Sequence, residues 1–177
     1  DTMIEFSALY DINYPATNAS LAGNLRRVFK ASQQGGQLIV GDFSSIESRG
    51  LAALSGAQWK LDEYIAGKDM YKVLAAKQFN IDYQDVTPTQ RTFGKVGELA
   101  CGYGAGPESV RGFAKGMGVD LDPAEAANLV RGWRDTNPEV VHLWKALDDM
   151  LHLCVSTKHR QELIVGEFSF VFHPIET

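Results

Sequence analysis

Long apolar runs are missing from this 177-residue sequence. Stretches such as Leu38–Val40 and Leu51–Leu54 fall far short of the roughly 20 residues that a bilayer-crossing helix needs, so no membrane span is expected. Cysteine is scarce as well. Cys101 and Cys154 sit in separate helical patterns, outside any Cys-x-x-Cys or other ligand-like spacing, and are expected to be reduced, structural thiols. His142, His152, His159 and His173 likewise show no metal-like spacing. The opening Asp1-Thr2-Met3-Ile4-Glu5 carries neither a basic region nor a long apolar stretch, so no secretory signal is expected and a cytosolic setting follows. Positive charge is not in excess either: the net charge of -5 argues against a nucleic-acid partner, because phosphate-binding surfaces rely on clustered Lys and Arg. That objection concerns the whole chain. A charged cleft is local, and a metal-assisted one itself needs acidic ligands.

What is present suits one soluble domain with a real core, at 45% hydrophobic residues. Asp1 to Asn18 shows no sustained period and reads as irregular. Gln37 to Phe43 follows a Gly-Gly turn signal and reads as a short buried strand ending on Asp42. The pattern then changes to helix: Ile46, Arg49, Gly50, Ala53 and Leu54 recur at three and four, as do Leu61, Tyr64 and Ile65, then Tyr71, Leu74, Ala75 and Phe79. These predict three successive helices. Thr87-Pro88 caps a fourth, from about Pro88 to Gly102, and Gly104, Gly106 and Pro107 separate it from a shorter one over Glu108 to Lys115. Asp122-Pro123 starts another that runs to Thr136, and after Asn137-Pro138 comes a long amphipathic helix with Val141, Trp144, Leu147, Leu151 and Cys154. Leu163 to Phe172 alternates, with Phe168, Phe170 and Phe172 on one face, and predicts a strand or hairpin. The expected class is α+β, mostly helical.

Two places invite chemistry. The first is Asp42 at the end of the expected strand, with Glu47 and Arg49 close behind it; an Asp there is often only a helix cap, but its carboxylate is also a hard oxygen ligand suited to Mg2+. The second is the row Arg91, Lys95, Leu99 and Tyr103, at steps of four along about 18 Å of one helix. Two cations, an apolar residue and an aromatic in that order can accommodate a nucleoside triphosphate, phosphates at one end and sugar and base at the other. An amphipathic helix with solvated cations would look the same. Gly94 and Gly97 inside it each cost roughly 1 kcal/mol relative to alanine, which points to a close approach of substrate or of a neighbouring helix.

Asp42-Phe43-Ser44-Ser45-Ile46-Glu47-Ser48-Arg49 resembles the first palm motif of family A DNA polymerases, D-Y-S-x-I-E-x-R, and Arg91-x-x-x-Lys95 with Gly102-Tyr103-Gly104 resembles the fingers motif of the same family. Leu25-Arg26, Val130 to Arg134, Asn137-Pro138 and Trp144 look like phage-type members, so the resemblance covers most of the chain beyond Asn18. It implies a DNA-directed DNA polymerase of a phage or prophage in a bacterial host, with primer-template DNA, a dNTP and two Mg2+ ions. Asp42 would ligate both ions, with the Phe43 backbone carbonyl on one. Glu47 would be the steric gate under the sugar, next to Tyr103, with Ser45 also on the nucleotide. Lys95 would hold the triphosphate and protonate pyrophosphate, and Arg91 would take the terminal phosphate. Tyr71 stands where many relatives have a phosphate-contacting histidine, and Leu99 where they carry Phe or Tyr, which puts the first role in doubt and weakens stacking at the second. Residues 1–60 would be a palm segment, 61–156 the fingers, and 157–177 a strand or hairpin returning to the palm.

The third family motif, a His-Asp pair on a hairpin, is not found: Asp148 and Asp149 lie within an amphipathic helix, and His173 precedes Pro174. Thumb and exonuclease sequences are not found either. Little turnover by these 177 residues alone is therefore expected, and open sheet edges predict a homodimer by strand addition. A non-catalytic nucleotide- or DNA-binding module and a structural helical domain with accidental motif matches stay open beside the polymerase reading.

Overall fold

The computed structural model describes residues 29–30 and 35–174. They fall into two compact units divided between Phe43 and Ser44, each considered by itself. The expectations for residues 1–18 and for Leu25-Arg26 lie outside the described residues.

In the first unit the expected strand over Gln37 to Phe43 does not form. Residues 36–43 are irregular and exposed, Ile39 and Val40 almost completely so at 96% and 89%. A strand owes its regularity to hydrogen bonds with a neighbour, and among the described residues no other segment pairs with this one.

The second unit holds seven α-helices and a hairpin among its described residues: α1 (Ile46–Ser55), α2 (Gln58–Ile65), α3 (Met70–Phe79), α4 (Pro88–Cys101), α5 (Pro107–Gly116), α6 (Pro123–Thr136), α7 (Pro138–Thr157), β1 (Gln161–Val165) and β2 (Phe168–Phe172). The expected mostly helical α+β class is what is observed. Four helices begin on a proline that loses no needed donor, α4 through α7. Two of these carry full capping boxes, Thr87 with Gln90 and Asp122 with Glu125. Helix α1 stops at Gly56, whose φ of 73° closes the helix in a conformation that costs glycine no steric strain.

Helix α4 is the hub. It lies against α3, α5 and α6, while α1 contacts α2 and α7, and α7 carries the hairpin. The core gathers Val96, Val110, Ala114, Ala126, Trp133 and Val140, with Trp133 and Trp144 stacked at 5.8 Å to join α6 and α7. The close approach announced by Gly94 is real: a Cβ there would sit 2.1 Å from the backbone oxygen of Tyr71 on α3. Gly97 faces Leu129 and Trp133 of α6.

Helix α2 departs from the expected apolar face. It buries Lys60 and Tyr64 and leaves Ile65 exposed, because Lys60 finds a buried carboxylate to pair with. On α7 the buried line runs through Val140, Leu143 and Cys154, and Leu151 is half exposed. In the hairpin, antiparallel pairing matches Leu163 to Phe170 and Val165 to Phe168.

Candidate functional site

Helix α1 starts directly after Ser44-Ser45, and Ser45 adopts φ 52° in the left-handed region. That turn and the first turn of α1 face α4 and the start of α3 across two cavities. The first, of about 380 Å3, is largely apolar: Leu51, Leu54 and Leu99 line it, with Glu47 and Tyr103 among its polar lining. The Glu47 carboxylate stands beside the Tyr103 hydroxyl and holds it above the usual phenol range, by hydrogen bonding first. The second cavity, of about 420 Å3, is polar and lined by Arg49, Lys68, Asp69 and Arg91. Ser45 and Tyr71 line both. Burial, with the Glu98 carboxylate next in effect, raises the Tyr71 phenol as well.

The row expected on α4 is thus divided. Leu99 and Tyr103 belong to the apolar cavity and Arg91 to the polar one, while Lys95, one turn from Arg91 and half-buried, lines neither. Arg91 is held on two sides. Its Nε donates to Asp69 Oδ2 at 2.6 Å, and its guanidinium lies 5.2 Å from the centre of the Tyr71 ring. Asp69 uses its other oxygen to cap α3, accepting from the backbone N–H of Tyr71 at 3.0 Å and of Lys72 at 3.4 Å. Arg49 mirrors this arrangement: Nε donates to the Ser44 carbonyl at 3.0 Å and the guanidinium lies 4.1 Å from the Tyr64 ring centre. Both arginines therefore reach the polar cavity with Nε committed, leaving their Nη groups as the donors available to an anion.

Beneath the apolar cavity is a group that sequence reasoning missed. Glu98 is only 5% exposed. Its Oε1 accepts from Ser48 Oγ of α1 and pairs with Lys60 Nζ of α2 at 2.6 Å, and its Oε2 accepts from Trp133 Nε1 of α6 at 2.9 Å. Tyr64 OH donates to Ser48 Oγ at 2.6 Å, and Lys60 also donates to Asn137 Oδ1 at 3.2 Å. Burial draws the Lys60 ammonium below its usual range while Glu98 pulls the other way. A glutamate between Gly97 and Leu99 gives no hint in the sequence that three helices converge on it. The one available signal was its place beside Gly97 on the side of α4 that meets α6.

Asp42 and Phe43 belong to the first unit, where both are exposed. Among the described residues no group of three or more His, Cys, Asp or Glu side chains is arranged to hold a metal ion. The donor set does not fit a paired-metal site, to which Asp42 would bring a single carboxylate. Asp148 and Asp149 are exposed on α7.

Fold and site together describe a class: a helical domain in which one helix carries an arginine and a lysine, and the turn that follows it a tyrosine, beside an apolar recess and a cationic one. The family model for DNA polymerase family A matches residues 12–161, and the chain belongs to that family. It is 35% identical over 113 residues to the DNA polymerase of Bacillus phage SP02, a match covering 63% of this chain and 17% of that polymerase. It is 30% identical over 107 residues to DNA polymerase I of Aquifex aeolicus, covering 60% of this chain and 18% of that protein. To the DNA polymerase of Bacillus phage SP01 it is 26% identical over 109 residues, covering 60% and 12%. The chain thus spans less than a fifth of the length of these relatives, which include phage polymerases. Family membership removes the reading of accidental motif matches. No helix among the described residues is long and apolar enough to cross a membrane.

Proposed function

We propose that this chain is the nucleotide-gripping part of a DNA-directed DNA polymerase acting in DNA replication, and that its two adjoining cavities divide the nucleotide between them. The observation that carries this is the contrast across Ser45 and Tyr71. On one side lies an apolar recess with Glu47 and Tyr103, suited to the sugar and base; on the other lies a polar recess with Arg49 and Arg91, suited to a triphosphate. Glu47 is the steric gate against a 2′-hydroxyl, Arg91 takes phosphate in the polar recess, Lys95 takes phosphate from one turn further along α4, outside the lining of either recess, and Leu99 stacks weakly on the sugar. Phosphoryl transfer asks the protein for alignment and charge neutralisation, which these groups offer. Mg2+ is the cation that family membership implies, with Asp42 and the Phe43 carbonyl as its ligands. Since one carboxylate is not a paired-metal site, the residues named above bind and orient nucleotide while chemistry requires further ligands.

The rest of a polymerase and a primer-template are the partners this assigns, in the cytoplasm of a bacterial host. Residues 1–60 are palm, 61–156 fingers, and 157–177 the returning hairpin, with the first boundary falling inside α2. The exposed hairpin strands make a homodimer by strand addition part of the same proposal. Titration of the purified chain with dATP, followed by tryptophan fluorescence, tests the core of it. Binding that weakens about tenfold or more in Lys95→Ala and Arg91→Ala is expected, as charge-assisted hydrogen bonds are worth about 1.5–3 kcal/mol each. Unchanged affinity in both variants would sink it. Primer extension by the chain alone should be undetectable, and sustained synthesis would overturn the single-carboxylate argument.

A further inference from the structure

The Glu98 cluster is more than a buried ion pair, because it lies under the floor of the apolar cavity and ties together the two helices that form its mouth. Glu47 sits on α1 one residue before Ser48, and Tyr103 follows α4 five residues after Glu98. Ser48 and Glu98 both line the cavity, and the hydroxyl of the first donates to the carboxylate of the second. Around this tie the hydrogen-bond donors are engaged, while Glu139, whose charge also acts on Lys60, keeps a buried Oε2 without a hydrogen-bond partner. Lys60 and Trp133 hold the two oxygens of Glu98 from α2 and α6, and Tyr64 donates to Ser48 from α2. A carboxylate with charged and neutral donors on both oxygens, nearly excluded from water, has little freedom to move. The two ends of the tie lie close to the cavity mouth, one residue from Glu47 on α1 and five residues from Tyr103 just past the end of α4.

We propose that Glu98 is a positioning residue for the nucleotide cleft: through Ser48 it fixes the distance between Glu47 and Tyr103, and with it the discrimination at the sugar. The selectivity part rests on the nucleotide reading above; the geometric part does not.

Ser48→Ala cuts the link between α1 and α4 while leaving the Lys60–Glu98 pair intact, and Ser48→Thr keeps the hydroxyl. In protein labelled with 13C at the tyrosine Cζ, with Tyr103 assigned by loss of its signal in Tyr103→Phe, the hydroxyl of Tyr103 is titrated by NMR. Glu47→Gln shows what complete loss of the carboxylate contact looks like. Expected is a Tyr103 midpoint in folded Ser48→Ala shifted down toward that of Glu47→Gln, with Ser48→Thr close to the wild type. The preference for dATP over ATP should fall severalfold in Ser48→Ala and hold in Ser48→Thr. Lys60→Met combined with Glu98→Gln removes the carboxylate without stranding a buried ammonium, and should behave as Ser48→Ala does.

A folded Ser48→Ala whose Tyr103 titrates as in the wild type overturns the proposal, whether or not the double variant folds. If the wild type binds neither dATP nor ATP, the nucleotide reading fails while the Tyr103 titration still decides the geometric claim.

Discussion

Glu98 and Lys60 are 3% and 1% exposed at their side chains, and each is the other's compensation for leaving water. Truncating one strands the other. Glu98→Ala is expected to cost about 3–5 kcal/mol of unfolding free energy, the range for breaking a buried pair on one side. Urea unfolding measures it, and a loss under about 1 kcal/mol would mean that water or another group reaches Lys60. Cys101 gives a second residue-scale test. Burial first of all pushes its thiol from 9.0 up to about 12, so alkali ionises the unfolded chain before the folded one. The stability from this group is complete below pH 9.0 and is lost as pH rises toward about 12. Urea midpoints should therefore fall less steeply with alkaline pH in Cys101→Ala than in the wild type, and native thiol alkylation at Cys101 should be slow.

Among the elements, the interface between α3 and α4 has the least tolerance. Gly94 leaves no room for a methyl group against the Tyr71 carbonyl, and backbone, unlike a long side chain, cannot rotate out of the way. Gly94→Ala is expected to cost about 1–3 kcal/mol by overpacking even though alanine favours helix, which thermal unfolding would reveal. Much at this scale was legible in advance. Thr87-Pro88 and Asp122-Pro123 announced helix starts because caps act through residues three apart, and Gly94 announced a close approach because glycine inside a helix is unfavourable without one. What the sequence hid is long-range. Asp69 meets Arg91 from 22 positions away and Glu98 meets Ser48 from 50, separations that no local spacing encodes. The failed strand at residues 37–43 has the same origin: its apolar run reads as buried, yet burial and pairing depend on a neighbour, and among the described residues none pairs with it. For the site, the α4 row was visible as a stripe, whereas its division between two cavities depends on where α1 and α3 run.

At the scale of the molecule, the two hairpin strands have only each other as partner among the described residues, with Ile164 70% and Val171 43% exposed. Light scattering over a concentration series should show a dimer that Ile164→Lys on β1 disperses; a strictly monomeric mass at high concentration would remove strand addition from the proposal. The described polymerase relatives are several times longer than this chain, so the same apolar residues in a longer protein have other surfaces to meet.

Tyr71 has its ring between an oily chamber and a salty one. A fluorine atom on that ring would feel an occupant arriving from either direction, and a fragment lodged among Leu51, Leu54 and Leu99 should alter its resonance without entering the arginine side. The partition between the two chambers is thus a listening post, through which hydrophobic compounds and polyanions could be screened with a single labelled phenol.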